Sequence, residues 1–86
     1  MIEPFQDRAP SGAKLTDYDK AHIKLYMRLL DAAETGAHWT EVVATLFGVD
    51  PSIEPLRAKN IHDSHLARAR WMTGAGYRQL LSPDHW

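Results

Sequence analysis

The sequence predicts an all-α fold: a small three-helix bundle in a helix-turn-helix-like arrangement. Three observations carry that prediction. Apolar residues recur at helical spacing through 17–35, 39–47 and 56–73. Glycine or proline closes each of these stretches. No stretch alternates apolar and polar residues with the period of two that marks a strand.

Residues 1–15 hold Pro4, Pro10, Ser11 and Gly12 with no apolar period, and read as a disordered N-terminal arm. Thr16 followed by Asp19 is a capping-box-like start. Asp17 and Asp19 place negative charge at the positive end of the first helix. His22, Tyr26, Leu29, Leu30 and Ala33 form its core stripe, Ile23, Leu25 and Met27 widen it, and Gly36 stops it. In the second helix, "WTEVVATLF", Trp39, Val42, Val43, Leu46 and Phe47 face inward, Thr40 and Glu41 form the exposed start, and Gly48 ends it. Pro51 and Pro55 keep "VDPSIEP" a turn. The third helix starts at Leu56, or at Asn60 with Asp63 as its cap partner. Its core stripe is Ile61, His65, Leu66, Ala69 and Met72. Gly74 and Gly76 end it, and "YRQLL" adds a short C-terminal turn that packs Tyr77, Leu80 and Leu81 on the bundle. The domain thus spans 16–81, and 82–86, with Trp86, reads as a frayed tail.

Eighty-six residues make one small domain, which buries only about 60% of its unfolded surface. The absence of cysteine excludes disulfides and thiolate metal sites. The start "MIEPFQDRAP" lacks the apolar core of a secretory signal, and no apolar run approaches the ~20 residues of a membrane span. A cytoplasmic protein is the expectation.

Charge bears on the partner. Ten Lys+Arg against eleven Asp+Glu give a formal net charge of −1. Between residues 38 and 74, four cations (Arg57, Lys59, Arg68, Arg70) meet four anions (Glu41, Asp50, Glu54, Asp63). DNA-binding domains ordinarily carry a basic surplus, so this balance argues against DNA as a partner. If DNA is read, Arg57, Lys59 and His62 are the residues placed to do it. His62 and His65 have a spacing that can put two metal ligands on one helix face. The third ligand would have to come from His22, His38 or His85, and no spacing enforces it. No metal or cofactor is expected, with His65 at the core edge and His62 facing water. Without a cysteine nucleophile, a Gly-rich phosphate loop or a G-x-S-x-G elbow, no enzyme is expected either.

Protein contact remains. Three tryptophans and three tyrosines are a generous supply for so small a core, and aromatics with Arg are enriched at interface hot spots. Trp39 reads as core. Trp71 falls on the flank of the third helix near Arg68 and Arg70, where interface and core packing under "YRQLL" are equally open. Tyr77 and Arg78 follow it. Ile23 and Met27 lie off the main stripe of the first helix, where they could seat a partner's helix.

The segments "LLDAAETGAHWTEVVATLFG" and "HLARARWMTGAGYRQLL" resemble a family catalogued as domain of unknown function 2285. In that family a helix ending in Leu-x-Ala-x-x-x-Gly-Ala precedes an Ile-Ala-x-x-Leu-Phe-Gly helix, and a basic helix leads to Gly-Gly-Tyr-Arg-x-Leu-Leu. The resemblance covers roughly residues 17–81, most specifically Leu46-Phe47-Gly48 and Gly76-Tyr77-Arg78-Gln79-Leu80-Leu81. It implies a helix-turn-helix variant found in regulators of conjugative-element transfer. For a single stand-alone domain it implies an antiactivator that silences two transcriptional activators by protein contact. One is a LuxR-type quorum-sensing regulator; the other is an excision activator containing domains of the same family. The alternative is a DNA-binding helix-turn-helix transcriptional regulator.

Overall fold

A computed structural model describes residues 4–81. In chain order it contains α1 (Asp17–Ala21), α2 (Ile23–Glu34), α3 (Trp39–Phe47), α4 (Pro55–Trp71), a π-helical turn (Met72–Gly76) and α5 (Tyr77–Leu81). The described residues contain helices and no strand, as the periodicity predicts. No helix among them is long and apolar enough to cross a membrane. The tail at 82–86, with His85 and Trp86, lies outside the described residues, as do the side chains of Leu80 and Leu81.

The capping box forms. The Asp19 N–H donates to Thr16 Oγ1 at 3.1 Å, and the Thr16 N–H donates to Asp19 Oδ2 at 2.9 Å. The first helix is nevertheless two helices, because His22 (φ −117°, ψ 21°) leaves the helical region. Its ring reaches the Tyr18 carbonyl through Nδ1 and the Pro4 carbonyl through Nε2, each at 2.7 Å. The break therefore sits where a side chain ties the helix to the preceding segment. Gly36 and Gly48 adopt left-handed φ of 78° and 68° at the ends of α2 and α3, the conformation that glycine supplies at least cost. Pro55 occupies the first turn of α4, where its missing N–H costs nothing, so the earlier start holds.

Leu25, Tyr26 and Leu29 of α2 meet Val42, Val43 and Phe47 of α3 and Ala58, Ile61, Ala69 and Met72 from α4 onward. Ala33, expected on this stripe, is exposed at the far end of α2. The two glycines expected to end the third helix do not end it. The chain widens into the π-helical turn and continues as α5. A Cβ on Gly76 would lie 2.6 Å from Trp71 Cζ3 and 2.7 Å from Met72 Sδ. Gly76 therefore lets the backbone approach the indole ring, and termination is not its role.

Residues 4–15 carry no helix, yet they lie along the bundle. Phe5 meets Phe47 edge-to-face at 5.0 Å between centroids. Ala9 is buried, with its N–H on Ser64 Oγ at 3.1 Å. Gln79 receives the Leu15 N–H and donates to the Ala13 carbonyl, both at 2.6 Å. The segment lacks a period because most of its anchors are backbone groups, which periodicity does not report.

Beneath this segment lies a buried ion pair. Arg68 and Asp19 are 3% and 0% exposed. The guanidinium spans the carboxylate, Nη2 to Oδ2 at 2.6 Å and Nε to Oδ1 at 2.9 Å. It also donates to the carbonyls of Gly12 and Lys14. The Tyr26 hydroxyl donates to Asp19 Oδ1 at 2.8 Å. Burial alone would raise the Asp19 carboxyl, but Arg68, Thr16 and Tyr26 together hold it at about 2. Arg68→Ala would leave Asp19 charged and buried, at a cost of about 3–5 kcal/mol measured by urea unfolding. The double variant Arg68→Ala/Asp19→Ala is expected to cost less than the sum of the two single changes. With the folded value near 2 and an ordinary value of 3.8, this contribution is complete above pH 3.8 and is lost as pH falls towards 2.

Candidate functional site

α3, the seven residues 48–54 and α4 form a helix–turn–helix. Val49 is buried inside the turn, and Asp50 Oδ1 accepts from the Ser52 N–H at 2.9 Å. α4 buries Ala58, Ile61, His65, Arg68 and Ala69. Its opposite side carries Leu56, Lys59, Asn60, Asp63, Ala67 and Arg70, all exposed, within an arc of roughly 100°. This face holds an amide, two cations, an acid and two apolar side chains. Lys59 Nζ lies 4.8 Å from the Trp39 ring centroid and 3.4 Å from Asp63. Arg57, beside the stripe, pairs with Asp7 at 2.8 Å and Glu54 at 3.2 Å.

The inner side of α4 is fixed by His65, which is fully buried rather than at the core edge. Its Nδ1 donates to the Ile61 carbonyl at 2.7 Å, and its Nε2 accepts from the Tyr18 hydroxyl at 2.7 Å. That hydroxyl in turn accepts from the Gln6 N–H. These partners fit a neutral ring protonated on Nδ1, the form that burial favours. Burial pushes the His65 imidazole below its ordinary 6.5; the Ile61 carbonyl acts the other way.

His62 does not face water: it is 9% exposed, against Trp39, with Nδ1 2.9 Å from Asp63. It cannot reach a base edge as placed, so Arg57 and Lys59 alone of the three anticipated DNA contacts are exposed. Among the described residues, no group of three or more His, Asp or Glu is placed to hold a metal ion.

Of the residues anticipated at a protein contact, Arg68 lies inside the domain. Trp71 is half-buried, with the Arg68 guanidinium 3.7 Å from its ring centroid. Arg70 and Arg78 are exposed, Arg70 on the outer stripe of α4. Ile23, Met27 and Tyr77 do come together, in a cleft of about 270 Å³ between α2 and the chain from α4 to α5. Beside it, Lys20, Lys24 and Arg28 line a shallow depression, a ridge that a charge count over 38–74 leaves out. Their spacing of four residues was its signal in the sequence.

A short helix and turn that hold one helix with an exposed polar face are the plan of small transcription-regulator domains. The chain belongs to the family described as "T6SS, Transcription factor, DNA binding domain", whose model matches residues 4–82. No curated protein matches it. The match begins at the segment that Phe5 and Ala9 anchor, so that segment is part of the family domain. Membership overturns the expectation that DNA is an unlikely partner. The charge balance misled because a net count does not say which side chains reach a ligand: Arg68, which it includes, is buried against Asp19, whereas Lys59 and Arg70 lie on the exposed side of α4.

The buried His65 ring couples the stability of the fold to pH. The unfolded ring protonates near 6.5 and the folded ring only below that, so stability falls as pH drops through 6.5 and is unaffected above it. The thermal midpoint should decline between about pH 7 and pH 5, and His65→Gln should flatten that decline.

Proposed function

We propose that this chain is the DNA-binding module of a transcription regulator and that the outer stripe of α4 enters the major groove. The family match over residues 4–82 carries the proposal, and the composition of the stripe supports it. Asn60 has the two-pronged donor–acceptor pattern that suits adenine, and Lys59 suits the acceptors of guanine. Leu56, 82% exposed, and Ala67 offer apolar contact to thymine methyls. Arg57 and Arg70 flank these positions as phosphate contacts. The acids paired with Arg57 and Lys59 are small obstacles, since exposed ion pairs are worth about 0–1 kcal/mol and exchange readily for phosphate. The chemistry is binding, without catalysis.

A second reading is narrower. The resemblance to domain of unknown function 2285 points to a stand-alone antiactivator such as QseM, acting in quorum-sensing control of conjugative-element transfer. Its support is the near-neutral charge and the cleft at Ile23, Met27 and Tyr77, and it ranks behind DNA binding.

Selection from a random duplex pool, followed by anisotropy titrations, tests the proposal. A preferred sequence should emerge, with log K falling by about 0.9 per phosphate contact for each tenfold rise in salt. Asn60→Ala should cost about 1–3 kcal/mol on that sequence and little on unrelated DNA. Arg57→Ala should weaken both alike. Failure to enrich any sequence, together with salt-independent binding, would sink the reading.

A further inference from the structure

The cleft beside α2 has no place in DNA contact through α4. Its lining is almost wholly apolar: Ile23, Tyr26, Met27 and Leu30 on one wall, Met72 and Tyr77 on the other. Met27 is 61% and Tyr77 52% exposed, large side chains left open where the core had room for neither. The positive ridge adjoins it directly, because Ile23 and Met27 also line the depression that holds Lys20, Lys24 and Arg28. None of these three cations pairs with an acid among the described residues, although Asp31 closes the far end of the depression. They recur every fourth residue, with Lys24 and Arg28 one turn apart on α2 and Lys20 on α1 across the break at His22.

We infer that this cleft and its ridge form a docking groove for an acidic amphipathic helix of a partner protein. Charge complementarity selects the occupant. An apolar stripe at i, i+3, i+4 and i+7 would enter the cleft, and carboxylates at every fourth position on its flank would meet Lys20, Lys24 and Arg28. Met27 and Met72 suit such a site because unbranched thioethers adapt to the shape of what binds. The groove does not depend on the DNA-binding reading, and a domain that reads DNA through α4 would keep it free for a second protein.

The probe is a synthetic helix of about five turns with leucines at those apolar positions and glutamates along one flank, compared with its lysine-for-glutamate counterpart. Both are titrated into the full chain, with the Met27 and Met72 methyl resonances followed by NMR. The glutamate peptide should shift both methyls saturably, and the lysine peptide should not. Lys24→Glu/Arg28→Glu should weaken the glutamate peptide about tenfold, two exposed charge pairs at up to about 1 kcal/mol each. Duplex DNA affinity, measured on the same variant, should hold. An equal response to both peptides means unselective stickiness and overturns the inference, as does an absence of methyl shifts. Lost DNA affinity with peptide binding unchanged assigns the ridge to phosphate and also overturns it. Because DNA is titrated separately, failure of the groove and failure of the DNA reading are distinguishable.

Discussion

The pairing of Arg68 with Asp19 is the contact on which the rest of the molecule depends. Forty-nine residues separate the two groups, and both are withdrawn from water. A charge in such a place is tolerated only when it is paired and its remaining hydrogen-bonding capacity is used. Here the remaining capacity is what organises the domain. The carboxylate that caps α1 also receives Tyr26 from α2 and Arg68 from α4. The guanidinium that neutralises it holds the preceding chain by the carbonyls of Gly12 and Lys14. Four parts of the chain thus meet at one ion pair. The low contribution of oil-like burial in so short a chain is supplemented by a polar centre with definite geometry.

This centre separates the interior from the surface electrostatically. Arg68 and Asp19 cancel where no partner can reach them, so the formal charge of −1 describes neither outer face. What a ligand meets is local. One face is the outer stripe of α4, where Lys59 and Asp63 compensate each other at 3.4 Å. Another is the run of Lys20, Lys24 and Arg28, which forms no ion pair among the described residues. Long-range attraction to a polyanion is accordingly weak for the whole molecule. Short-range fit therefore outweighs long-range steering in what either face can bind.

Helices and caps were legible in the sequence because they follow local rules. Thr16 and Asp19, Gly48, Pro55 and the stripes through Tyr26 and Phe47 act within a few residues of their own position. Arg68 was half legible: it continues the spacing Ile61, His65, Arg68, Met72, yet the rule that arginine faces water outweighs a period in the sequence alone. The fastening of residues 4–15 and the burial of His62 against Trp39 depend on partners distant in the chain, and no local pattern marks them. For the candidate site, the position of α4 could be read beforehand, and so could Arg57 and Lys59. The stripe of Asn60, Ala67 and Arg70 became visible only once the buried side was known. The meeting of Ile23 and Met27 with Tyr77 needed the turn at Met72–Gly76.

That turn has a further consequence. A π-helical turn holds one residue more than the α-helical turn it replaces, so it shifts the phase of everything after it by about 100°. Removing a single residue between Met72 and Gly76 would rotate α5 about its axis and aim Tyr77 away from α2, with each helix otherwise unaltered. One codon gained or lost in this stretch is therefore enough to open or close the cleft without disturbing the helices around it.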